Sequence, residues 1–135
     1  MSPKDHIIFG AGAAAAVYPY LGGGSAAFFA ASVAIDADHY IEYVYHNGYT
    51  DFSPARMFGF HREIFKLSGR PDFLNIEVFH TVEFMSAISA AALFTGSQHL
   101  MAAFYGMAFH IILDMIFLAR RGMFFKRSYT AIEYI

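Results

Sequence analysis

At 135 residues the chain has the length of one domain. It is strongly apolar, with 57% hydrophobic, 19% aromatic and only 15% charged residues, against about 25% charged in an average soluble domain. A net charge of −2 offers no basic footprint for nucleic acid, and zero cysteines exclude disulfides, thiolate metal sites and cysteine nucleophiles. This balance predicts an all-α integral membrane protein, a four-helix bundle with one additional interfacial amphipathic helix.

Residues 5–21 are the first apolar run, and they stand near the short limit for a span. Gly10, Gly12 and the run Ala13–Ala16 suit close helix packing. Pro19 and then Gly22, Gly23 and Gly24 end the run. Residues 25–46 read as one continuous second span with Ser25 as its N-cap, broken by Asn47-Gly48. Ser53-Pro54 opens an amphipathic helix over 54–68, lying in the interface plane, which Gly69 and Pro71 close. Residues 74–95 and 98–119 are the third and fourth spans, joined by a tight Gly96-Ser97 turn. The aromatic and basic tail after Gly122 is expected along the surface.

Alternating the segments across a bilayer puts all nine Lys and Arg residues on one side. The opposite turns at Gly22–Gly24 and Gly96–Ser97 carry none. The positive-inside rule then predicts a multi-pass protein of the inner (plasma) membrane with both termini cytoplasmic.

The same frame sorts the ionisable residues. Asp36, Asp38 and His39 are set in the second span, His80 and Glu83 early in the third, His110 and Asp114 late in the fourth, and His6 opens the first. At about 1.5 Å per residue these groups share one slab, roughly 8–15 Å in from the cytoplasmic face. A charge in that position is costly without a partner, and a divalent cation is the strongest partner available. Asp36/His39 and His80/Glu83 are i, i+3 pairs and His110/Asp114 is an i, i+4 pair, so each pair shares a helix face. A lone histidine in such a helix more often packs through a hydrogen bond than binds metal. It is the shared depth that favours a centre. The expected ligands are His6, Asp36, His39, His80, Glu83, His110 and Asp114, holding one or two divalent ions. Nitrogen and oxygen donors suit Zn, Mn, Fe or Mg, with zinc placed first. Asp38, about 200° around the helix from Asp36, is expected as a general base or a support for the ligands, and Glu83 as the alternative base. Glu42 and His46 are expected to be solvated; a lid formed over the site by His61 and Glu63 is the lesser alternative to their lying away from it.

The elements D-A-D-H at 36–39, H-T-x-E at 80–83 and H-I-I-L-D at 110–114, following His6, resemble the YdjM-like family of membrane-bound metal-dependent hydrolases. The resemblance implies metal ligation by Asp36, His39, His80, His110 and Asp114, and strengthens His6 and Asp38. It rests on short motifs within the first 114 residues. The family's His-Arg-Gly closely precedes its Thr-His-Ser, whereas here His61-Arg62 lies far upstream and Glu83 follows His80-Thr81.

The function expected is metal-dependent hydrolysis of a membrane lipid or other amphiphilic ester or phosphoester at the cytoplasmic leaflet. One alternative is a membrane di-iron oxidase or desaturase-like protein using the same ligands. The other is a non-enzymatic metal-binding membrane protein. A carrier needs a polar path to the other face, and there the sequence offers little beyond Ser32 and Ser89.

Overall fold

The computed structural model describes residues 3–67 and 75–134. These residues are almost entirely helical. Helices α1 (Pro3–Leu21) and α2 (Gly24–Ala34) meet across the glycine turn, and α3 (Ala37–His46) and α4 (Pro54–Leu67) follow. After α4 come a two-residue strand β1 (Asn75–Ile76), a 3-10 turn over Val78–His80 and α5 (Val82–Thr95). Then α6 (Gln98–Arg120), strand β2 (Arg127–Ser128) and the short α7 (Ala131–Tyr134) complete the order. Ser68, Gly69, Arg70, Pro71 and Leu74 fall outside the described residues.

Small residues decide how these helices meet. A Cβ built on Gly106 of α6 would overlap the Phe28 carbonyl of α2, so the two backbones touch there. A Cβ on Gly10 of α1 would lie 2.6 Å from Ser32 Oγ. Helix α2 is thereby clasped between α1 and α6, and α5 packs on the far side of α6 through the Gly96-Ser97 turn. Ser97 caps α6 by accepting from the Leu100 N–H at 3.3 Å. Ser53 likewise caps α4, accepting from the Arg56 N–H at 3.4 Å.

Two expectations are corrected. The 25–46 segment is two helices, with a turn at Ile35-Asp36, where His39 N–H bonds Asp36 O at 3.2 Å and Asp36 has ψ of 0°. Nor is Ser25 the cap: α2 starts at Gly24 with Gly23 in the capping position. The 74–95 segment becomes helical only at Val82, because Thr81 is extended and caps α5 through its Oγ1. At 14 residues, α5 is about 21 Å long, short of a hydrocarbon core of about 30 Å. Among the described helices only α6 is both long and apolar enough to cross a membrane.

The tail also departs from its expected surface course. Strand β2 pairs in parallel with β1, Asn75 opposite Arg127 and Ile76 opposite Ser128, and Val82 N–H bonds Tyr129 O at 2.9 Å. Arg127 and Ser128 are buried as a result.

The interior is unusually polar. The buried residues include His6, Asp38, Glu77, His80, His110, Asp114 and Arg127, while Phe94 is 92% exposed and Tyr20 87%.

Gly106→Ala is expected to destabilise the fold by about 1–3 kcal/mol through overpacking against α2. Gly12→Ala, which meets no neighbour within 4 Å, is expected to be neutral or to gain up to about 1 kcal/mol. Thermal melts of the two variants in detergent compare them directly, and equal midpoints would remove the close-contact account.

Candidate metal centre

The turn at Ile35-Asp36 shapes the site. It ends α2, and the Ser32 carbonyl one turn earlier bonds His110 Nδ1 across the α2–α6 contact at 2.7 Å. A carbonyl only accepts, so His110 Nδ1 carries a proton, and its Nε2 is turned toward Asp36. His80 is oriented the same way. Its Nδ1 lies 3.1 Å from Asp38 Oδ2, which also takes the Phe79 N–H at 3.0 Å. Its Nε2 is likewise turned toward Asp36.

Both Nε2 atoms face one oxygen. Asp36 Oδ1 lies 3.2 Å from His110 Nε2, 3.7 Å from His80 Nε2 and 3.6 Å from His39 Nε2. His80 Nε2 and His110 Nε2 are buried and have no hydrogen-bond partner. A metal ligand must be deprotonated, and with their protons on Nδ1 both rings would offer Nε2 to a cation. Metal–ligand bonds of about 2.0–2.2 Å in a tetrahedral site set neighbouring donors roughly 3.3–3.6 Å apart, which matches this spacing. The carboxylate behind His80 and the carbonyl behind His110 are the second partners that metal-ligating histidines use to fix their tautomer. Asp36, His80 and His110 together form a donor set that could hold a metal ion.

Two further sets adjoin the first: His6, His110 and Asp114, and Glu77, His80 and Asp114. His6 Nε2 is 3.3 Å from Asp114 Oδ1, and the His6 and His110 rings stack with centroids 3.9 Å apart. Asp114 Oδ2 lies 3.6 Å from His110 Nε2 and accepts from Arg127 Nη2 at 3.0 Å. The same Nη2 contacts Glu77 Oε2. Burial works against the charge of Arg127, but the Glu77 and Asp114 carboxylates more than restore it and raise its pKa. Glu77 Oε1 lies 3.9 Å from His39 Nε2.

Helix α4 folds over this region, as in the lid alternative for His61 but not for Glu63. The His61 ring centroid is 4.7 Å from that of His39. Burial holds the His61 pKa below the ordinary value, so its neutral Nε2–H donates to the His39 carbonyl at 2.7 Å. Glu63 instead pairs with Lys66 at 2.7 Å on the exposed face. Glu42, expected in solvent, is half-buried, 3.9 Å from His61 Nδ1; with His39 and His61 it makes a separate donor set.

A cavity of about 1010 Å³ opens onto the cluster. Its floor includes His6, Asp36, His39, Glu77, Asp114 and Arg127. Its walls are apolar, with Ile7, Phe58, Ile64, Phe117 and Leu118, and Arg62, Lys66, Arg121 and Lys126 also line it. The Arg121 guanidinium rests over the Phe117 ring at 4.2 Å.

Six of the seven expected ligands thus converge: His6, Asp36, His39, His80, His110 and Asp114. Glu83 does not. It is exposed, and its Oε1 accepts the Ala131 N–H at 3.1 Å. It lies on α5, which begins only after His80, so the two never share a helix face. Asp38, expected as a general base or a support for the ligands, has its Oδ2 on His80 Nδ1 and the Phe79 N–H and does not line the cavity, which is the placement of a support. It positions the His80 ring, whose other nitrogen faces Asp36. Three participants were missed. Glu77 stands three residues before His80 as Glu83 stands three after it, and only the late start of α5 distinguishes them. The Ser32 carbonyl and Arg127 have no sequence signal beyond an outer-half serine and a basic tail. No protein-family model, curated protein or solved structure matches this chain.

Metal content after purification should separate these roles. His110→Ala is expected to abolish binding, and Asp38→Asn to weaken it about 10–100-fold while the helical content is retained. His99→Ala, on the exposed outer end of α6, is the control and should bind as wild type. An unchanged affinity in Asp38→Asn would remove the positioning role.

Proposed function

We propose that this chain is a membrane-embedded, metal-dependent hydrolase acting on a lipid or other amphiphilic ester or phosphoester at the cytoplasmic leaflet. One observation carries the reading: two buried imidazole nitrogens without a hydrogen-bond partner, His80 Nε2 and His110 Nε2, directed at Asp36 Oδ1 beside an apolar cavity. Asp36, His39, His80 and His110 would hold the cation. A divalent ion there supplies Lewis acidity, polarising the scissile bond and acidifying water.

The chain's own residues supply the rest. Glu77 is the general base in this reading. It lines the cavity, Arg127 holds its Oε2, and its Oε1 is turned toward His39. Asp38 and the Ser32 carbonyl keep the His80 and His110 rings from turning. The walls between α1, α4 and α6 accept an acyl chain, and the basic residues lining the cavity favour an anionic headgroup at its mouth.

Three features support the membrane setting. The polarity pattern is inverted, with charge inside and Phe94, Leu93 and Tyr20 outside; α6 is long and apolar enough to span; and the Lys and Arg residues sort to one side. With the segments alternated across a bilayer, that sorting favours an inner-membrane protein with cytoplasmic termini. The likeness of the D-A-D-H, H-T-x-E and H-I-I-L-D elements to the YdjM-like hydrolases agrees with this assignment.

The test is release of fatty acid or phosphate from mixed lipid vesicles by the metal-loaded protein. EDTA should stop it, and Glu77→Gln should lower kcat by roughly 100-fold or more while leaving metal content unchanged. A metal-loaded protein that cleaves no lipid ester or phosphoester would overturn the enzyme reading.

A further inference from the structure

Arg127 takes no direct part in the proposed reaction, and neither does Asp114, the second carboxylate that it contacts. Strand β2 carries Arg127 in from beyond α6, and its pairing with Asn75 fixes it beside Glu77. Its Nη2 contacts Glu77 Oε2 and lies 3.0 Å from Asp114 Oδ2. Glu77 and Asp114 form a candidate donor set with His80, and because Asp38 and the Asp36 site engage the two His80 nitrogens, the two carboxylates are what a second cation would find there. One positive atom therefore occupies the place that a second cation would share between the two carboxylates. A guanidinium suits that place, since it stays charged at any working pH and does not dissociate.

Building on the metal-centre reading above, we propose that the Arg127 guanidinium stands in for a second metal ion, so that the centre loads a single divalent cation at Asp36, His39, His80 and His110. The ordinary alternative is a buried ion pair that serves the fold alone. The two differ in what removal of the charge does. Loss of a fold-only pair leaves two unpaired carboxylates and destabilises the protein. Loss of a metal substitute opens a second metal site between the same carboxylates.

The experiment counts bound metal in EDTA-stripped full-length protein reloaded with Zn²⁺ and dialysed, by elemental analysis. All samples carry His61→Ala, which removes the separate donor set of His39, Glu42 and His61. With Arg127 present, about one equivalent is expected, and Arg127→Met should rise to about two while Arg127→Lys stays at about one. About two equivalents with Arg127 in place would overturn the inference and leave the metal-dependent hydrolase standing. No bound metal in any sample would overturn both. A folded Arg127→Met protein that still binds one ion would also overturn it. If Arg127→Met loses its helical circular dichroism, the count with Arg127 intact, together with that of Arg127→Lys, decides alone: one supports the substitution and two overturns it.

Discussion

The centre depends on two imidazole Nε2 atoms being held against a single carboxylate oxygen. Neither ring can turn away, because His110 Nδ1 is bound to the Ser32 carbonyl and His80 Nδ1 to Asp38. A cation bound among the three atoms would stabilise the arrangement, and its binding would then be coupled to folding. A site filled at a thousand times its dissociation constant adds about 4.1 kcal/mol to stability. The four carboxylates Asp36, Asp38, Glu77 and Asp114 face the Arg127 guanidinium and the imidazoles of His6, His39, His80 and His110.

Close helix packing sets where the ligands meet. Gly10 lies one turn above His6 on α1, and Gly106 one turn before His110 on α6, with Asp114 a turn further on. The same helix stripe that lets the backbones touch α2 therefore delivers the ligands one turn away. The break at Ile35-Asp36 completes the delivery. It lets Asp36 and Asp38, which an unbroken helix would point about 200° apart, take opposite nitrogens of the same His80 ring.

Much of this was legible in the sequence, and for one reason. An imidazole or carboxylate in an apolar helix has few inexpensive fates, so His6, Asp36, His39, His80, His110 and Asp114 announce a shared partner by type and depth. Helix periodicity made α1, α4 and α6 readable to within a few residues. It misled where the chain stops being periodic. An apolar run from Leu74 to Thr95 looks helical throughout, yet Glu77 to Thr81 are extended or 3-10, and that shift exchanges Glu83 for Glu77 at the centre. Arg127 was out of reach for a different reason. A two-residue parallel pairing between distant segments leaves no pattern in either one.

That pairing also bears on the order of synthesis. Arg127 and Ser128 follow α6, so all the long helices of a nascent chain have been synthesised before the strand that closes the centre emerges. Until then Glu77 and Asp114 face each other with no guanidinium between them. The pocket is thus most open to a visiting ion during biogenesis, and it is the arrival of the downstream strand that seals it.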